Sequence, residues 1–156
     1  MRRRLVPEEY FTVTGTGESD TSELNAFDRA LVAAGISQCN LVPVSSILPK
    51  RATEVRPRKI EPGEVTFVVL GKAIGKRGDH ISAGVAIGYV AGGEHDVIVE
   101  LNQHGSAEEA KSELSGLLEE MAAARGWKIS RVKHHVCDIR VTKTYGVALA
   151  VVVLLL

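Results

Sequence analysis

The side chains with the most obvious chemical potential stand in the stretch NLVPVSSILPK, residues 40–50. Ser45 and Ser46 interrupt an otherwise apolar run there, framed by Pro43 and Pro49. Two neighbouring hydroxyls in a strand are ordinarily one facing solvent and one facing the core. The surrounding residues open a second reading. A serine hydroxyl can attack the carbonyl carbon of the preceding residue when a bend brings the two together, exchanging an amide for an ester. Such a reaction needs backbone strain and a donor for the carbonyl oxygen. Pro43 and Pro49 restrict the backbone on either side, and Asn40 offers a side-chain amide nearby. Elimination across the serine Cα and Cβ, followed by hydrolysis of the dehydroalanine, leaves a pyruvoyl group. A ketone is made from a serine.

Other chemistries find less support. Gly71, Gly75 and Gly78 invite a phosphate-loop reading, but three residues separate Gly71 from Gly75 where that motif needs four, and Arg77 stands where its magnesium-binding hydroxyl belongs. A hairpin loop over 71–78 is the expectation. The five histidines include no pair at i and i+4 and no Cys or His at zinc-finger intervals, so no metal site is expected. Gly-x-Ser-x-Gly is absent, and with it the nucleophile elbow of a hydrolase. Cys39 and Cys137 make no disulfide framework in a chain of 156 residues and read as reduced core residues.

The composition is that of one soluble globular domain spanning residues 1–156, with 45% apolar and 24% charged residues. The balance of 19 basic against 19 acidic residues gives no polyanion signature, so nucleic acid is not an expected partner. Met1 to Arg4 are followed by no apolar segment of signal-peptide length, which points to the cytoplasm. The most apolar run, 147–156, is about half the length of a membrane-spanning helix and reads as a buried strand; no membrane partner is expected.

The elements that must hold the serine pair follow from periodicity and punctuation. A first strand is predicted over 8–13, ended by Gly15 and Gly17. Asp20 and Glu23 fit a capping box, and Leu24, Phe27, Leu31 and Ala34 recur as the apolar stripe of a helix reaching Gly35. Residues 36–48 have strand character but carry the serines and a proline, which suits an edge strand or one that bends. A solvated loop over 51–63 leads to a short strand at 65–70. Ile81, Ala83, Val85, Ile87 and Tyr89 then alternate with Ser82, Gly84, Ala86 and Gly88, giving a strand whose small face lets another layer approach closely. A strand over 97–103 precedes a helix capped by Ser106, with Ala110, Leu114, Leu117, Leu118 and Met121 as its apolar stripe and a stop near Gly126. Strands over 129–141 and 147–155 complete the chain. Strands gathered between two helices indicate an α+β layered sandwich.

The segment Asn40-Leu41-Val42-Pro43-Val44-Ser45-Ser46-Ile47-Leu48-Pro49 resembles the self-cleavage segment of the pyruvoyl-dependent arginine decarboxylases. The similarity extends upstream to Leu24-Asn25-Ala26-Phe27-Asp28 and downstream through Ile81-Ser82-Ala83 to Glu100, and so covers most of the chain. The resemblance implies cleavage between Ser45 and Ser46, giving a β-chain of residues 1–45 and an α-chain of 46–156 whose Ser46 becomes the N-terminal pyruvoyl group. It implies the four-layer αββα sandwich of the pyruvoyl-dependent histidine and arginine decarboxylases, assembled as a homotrimer or a dimer of trimers with active sites between subunits.

It also assigns residues. Asp28 matches the carboxylate that holds the substrate guanidinium, a planar fork suited to bidentate pairing, and Leu31 would wall the methylene stem. Read without the family, Asp28 is equally an exposed helix acid pairing with Arg29 or Lys50. Asn40 matches an asparagine tied to self-processing and to holding the reacting group. Glu100 matches the acid that protonates the carbanion after carbon dioxide leaves; apolar neighbours would raise its pKa and keep it protonated at neutral pH. The alternative for Glu100 is a strand-edge charge that blocks aggregation. The implied reaction converts L-arginine to agmatine and carbon dioxide without pyridoxal phosphate or metal, because the electron sink is built from the chain. Two alternatives remain at this point: the same chemistry on another basic amino acid, and a trimeric scaffold or binding protein that keeps the fold without processing.

Overall fold

The computed structural model describes residues 4–156, so the Met1–Arg3 part of the export-signal reading lies outside the described residues. The elements are β1 (Glu9–Ser19), α1 (Glu23–Ala34), β2 (Asn40–Pro43), β3 (Ile47–Pro49), β4 (Thr53–Glu54), β5 (Val65–Lys76), β6 (His80–Val90), β7 (His95–His104), α2 (Ala107–Arg125), β8 (Ile129–Arg140) and β9 (Tyr145–Leu155). They form an α+β structure with two sheets, one ordered β2-β5-β9-β1-β4 and the other β3-β7-β6-β8.

The apolar C-terminal run becomes β9, the centre of the larger sheet. It pairs antiparallel with β1 from Glu9↔Leu155 to Ser19↔Tyr145, and with β5 from Phe67↔Leu154 to Lys76↔Tyr145. A central strand covered on both faces has no reason to alternate, and Val147–Leu155 is buried throughout. Val69, Ala148, Ala150 and Val152 meet Ile81, Val85, Ile87 and Ile98 between the sheets. On the opposite face of the larger sheet, Phe11, Leu149, Val151 and Val153 pack against Ala26, Ala30 and Ala34 of α1. Leu114 and Leu118 of α2 pack on Ala86, Val97 and Val99 of the smaller sheet. No helix among the described residues is long and apolar enough to cross a membrane.

Three expectations change. Strand β1 does not end at Gly15 and Gly17 but runs through them, because they are where α1 touches the sheet. A Cβ built on Gly17 would lie 2.3 Å from the Ala26 carbonyl oxygen, and one on Gly15 2.3 Å from that of Ala30. This close approach buries the alanine face of α1, while Phe27 and Leu31 are half-buried at its flank and Leu24 stays 71% exposed. Because β1 reaches Ser19, the helix starts later than Asp20: Ser22 is its N-cap, accepting from the Asn25 N–H at 3.0 Å. Asp20 instead accepts from the Thr144 N–H at 3.0 Å. Strand β5 likewise continues past Gly71 to Lys76, so the hairpin loop shrinks to a turn closed at Gly78, whose φ is 93°.

The small face of β6 does what its alternation requires. A Cβ on Gly84 would come within 2.6 Å of Leu114 Cδ1, so glycine there lets α2 settle on the sheet. Helix α2 is capped as read, with Ser106 Oγ accepting from the Glu109 N–H and Gly126 closing the C-terminus in the left-handed conformation.

Gly17→Ala is expected to lower stability by about 1–3 kcal/mol, since the obstruction is helix backbone rather than a flexible side chain. Gly116→Ala, on an open face of α2 with nothing within 4 Å of the new Cβ, should raise it by about 0.5–1 kcal/mol. Urea unfolding of the two variants side by side checks both signs.

Candidate active site

The site begins where the chain changes sheets. Strand β2 is one edge of the larger sheet, pairing parallel with β5 from Asn40↔Val65 to Pro43↔Val68; β3 is one edge of the smaller sheet, pairing antiparallel with β7. Pro43 and Pro49 thus both sit on edge strands, where a missing N–H costs no ladder bond. Residues 44–46 make the crossing. It is anchored on both sides, by the Val44 N–H donating to the Val68 carbonyl at 2.8 Å and by the Ile98 N–H donating to the Ser46 carbonyl at 2.7 Å. No non-glycine residue among those described has positive φ, so the crossing is made in ordinary backbone conformations.

Ser45 is exposed and Ser46 half-buried. Ser46 lines a cavity of about 430 Å³ together with Val99 and Glu100 of β7 and Leu117, Glu120, Met121 and Ala124 of α2. The juxtaposition follows from register. Strand β3 covers β7 only from His95 to Val97, so just beyond Ile98 the edge of β7 is open and Glu100 stands there, next to the start of β3. Much of the Glu100 surface faces solvent, yet its surroundings desolvate the carboxyl enough to raise its pKa above the usual carboxylate value. A hydroxyl at the head of a strand, an acid that holds its proton more tightly than usual, and apolar walls therefore share one opening.

The other candidate residues lie elsewhere on the chain. Asn40 starts β2, and its side-chain amide donates to the Gly63 carbonyl at 3.0 Å rather than to the serine pair. Asp28 is exposed on α1, whose packing face is on the larger sheet, and is not among the cavity-lining residues; Leu31 is half-buried on the same helix. Neither pairing considered for Asp28 forms. Arg29 Nη1 donates to the Glu18 carbonyl, Lys50 pairs with Asp96, and among the described residues Asp28 makes no ion pair.

Sequence reasoning does not single out the lining contributed by α2. It places Leu117 and Met121 only within the apolar stripe, but the fully buried face of α2 is Ala110, Leu114, Leu118 and Ala122. The stripe is wider than that face needs, and the surplus forms the cavity wall. Among the described residues no group of three or more His, Cys, Asp or Glu could hold a metal ion.

Residues 9–156 match the family described as pyruvoyl-dependent arginine decarboxylase. A protein of that name from Methanopyrus kandleri is 40% identical over 128 residues, covering 82% of this chain and 83% of its own length. One from Thermococcus sibiricus is 32% identical over 152 residues, covering 96% of each, and one from Methanothermobacter thermautotrophicus is 36% identical over 121 residues, covering 76% of this chain and 78% of its own. The chain belongs to the pyruvoyl-dependent arginine decarboxylase family.

Proposed function

We propose that this chain cuts itself between Ser45 and Ser46 and decarboxylates L-arginine to agmatine with the pyruvoyl group that Ser46 becomes. The observation that carries the reading is that Ser46 and Glu100, far apart in sequence, line one cavity. In the cut, Ser46 Oγ attacks the Ser45 carbonyl carbon and the amide bond gives way to an ester. Elimination then leaves the Ser45 carboxylate as the end of residues 1–45, and hydrolysis at position 46 releases ammonia. The half-buried position of Ser46 at the rim of the cavity fits a pyruvoyl group directed into it.

When formed, that group supplies a ketone for the substrate amine and a sink for the electron pair freed as carbon dioxide leaves. The rest is done by side chains. Glu100 holds a proton at its carboxyl and delivers it to the substrate Cα. Leu117, Met121 and Val99 wall the methylene stem and exclude water. No pyridoxal phosphate or metal has a step to perform in this scheme.

In our reading the layers are the four-layer αββα sandwich of the pyruvoyl-dependent decarboxylases, in the order α1, larger sheet, smaller sheet, α2. The working unit is a homotrimer, alone or paired as a hexamer, located in the cytoplasm. Support for shared sites comes from placement. Val42, Val44 and Ile47 are 36%, 40% and 45% exposed around the crossing, while Asp28 and Leu31 lie on α1, away from the cavity of their own chain. A neighbouring subunit would bring Asp28 to the guanidinium and Leu31 to the stem. Asn40 then acts through the segment it anchors at Gly63.

Ser46→Ala should remain one uncut polypeptide by intact mass after long incubation and release no carbon dioxide from arginine. A cut Ser46→Ala chain overturns self-processing, and equal turnover of lysine or ornithine by the native enzyme overturns the arginine assignment. For Glu100, the sign of the pKa shift sets the pH profile. A carboxyl raised by desolvation stays protonated to higher pH, so kcat should fall as pH rises through that value. Glu100→Gln should remove this limb and lower kcat by roughly 10²–10⁴-fold. The profile of kcat against pH for both proteins is the check.

A further inference from the structure

We infer that the ion pair between Lys50 and Asp96 is a tether that holds the Ser46-bearing strand in register once the chain has been cut; the inference rests on the decarboxylase reading above. Strand β3 has only three residues, Ile47–Pro49. One is a proline without an N–H, and before cleavage the strand is held at both ends by continuous chain. After cleavage Ser46 is a chain terminus, and termini fray unless tied down. What remains to fix it is the short β3–β7 ladder, the Ile98–Ser46 hydrogen bond, the burial of Leu48 at 1% exposure, and whatever secures the far end.

Lys50 secures the far end. Its Nζ donates to Asp96 Oδ1 at 2.6 Å and to the Val90 carbonyl, while the Val90 N–H donates to the same carboxylate oxygen at 2.9 Å. Asp96 is 5% exposed and is the ladder partner of Leu48. The side chain of Lys50 therefore closes on the β7 residue that its own strand faces, and joins the ends of β6, β7 and β3 at one point. A one-residue slip of β3 would leave a buried carboxylate without its cation, which strongly disfavours the slip. Lys50 lies just past β3, four residues from Ser46 and on the order of 10 Å away with Ile47–Pro49 extended between them, so it touches no reacting atom. It is a positioning residue.

The test separates positioning from ordinary stabilisation, because self-cleavage happens while the chain is continuous and turnover happens after it is not. Lys50→Met should process to an extent close to the native chain. In the processed enzyme kcat should drop roughly tenfold or more, the effect of a small misplacement of the reacting group, with KM within about twofold. Lys50→Arg, which keeps the cation, should recover most of kcat. The double variant Lys50→Met/Asp96→Asn removes the stranded charge while keeping an acceptor for the Val90 N–H, and should show the same kcat deficit as Lys50→Met. Unchanged kcat in processed Lys50→Met overturns the tether. So does a double variant with native kcat, or a loss of processing, folded protein and kcat in proportion, which would make the pair a stability element only. A native protein that fails to process or to decarboxylate arginine would instead overturn the underlying functional reading, and the native control in the same assay reports it.

Discussion

The structure turns on a short piece of backbone that must leave one sheet and enter the other. Packed sheets stand about 10 Å apart, and the chain from Pro43 to Ile47 reaches at most about 13–14 Å when extended. The crossing therefore has little slack, and Ser45 and Ser46 can neither withdraw into a strand nor loop out freely. Edge position makes this possible: β2 and β3 each have an unpaired side, so neither sheet loses a ladder when the chain passes between them. The same geometry leaves the edge of β7 uncovered just where Glu100 projects. Serine and acid line one cavity because one short strand stops.

The opposite edge of the sandwich is closed differently. There β4 and β8 are joined by Lys133 Nζ and the Glu54 carboxylate at 2.6 Å, a partly exposed pair of modest strength. Nearby, the Tyr10 and Tyr89 hydroxyls meet at 3.1 Å across the sheets. Burial and the Tyr89 hydroxyl both hold the Tyr10 phenol above its usual value, keeping it neutral and able to share its hydrogen bond. Side chains thus join β4 to β8, whereas backbone joins β2 to β3, and it is that backbone crossing that carries the serine pair.

Much of this was legible in the residues, and the parts that were not share a cause. Helix α2 was readable because its cap, stripe and stop are all local, and the small face of β6 was readable because alternation is local too. Asp96 and Lys50 gave no signal, since their partnership exists only once β3 lies on β7. The glycines of β1 mislead for a related reason. A glycine followed by polar residues looks like punctuation in one dimension, and only the alanines of α1 arriving against Gly15 and Gly17 show it to be a docking surface. The serine segment could be recognised and the rise in the Glu100 pKa anticipated from its apolar neighbours. That the cavity wall would come from the surplus width of the α2 stripe could not be anticipated, because it depends on which helix face the sheet consumes.

Strand β1 lies inside the larger sheet, bonded to β9 along its whole length, with α1 clamped on it and β2 bonded to β5. If the backbone is severed after Ser45, all three of these elements belong to the smaller fragment, yet β1 cannot leave without dismantling the sheet around β9. The mature molecule would then be an interlocked heterodimer whose denaturation is a dissociation, governed by concentration as well as by heat. Its halves would have no way to reform the lost peptide link, so the intact precursor has the only opportunity for unimolecular assembly. Durability of the product would rest on the slowness of strand extraction rather than on any capacity to fold again.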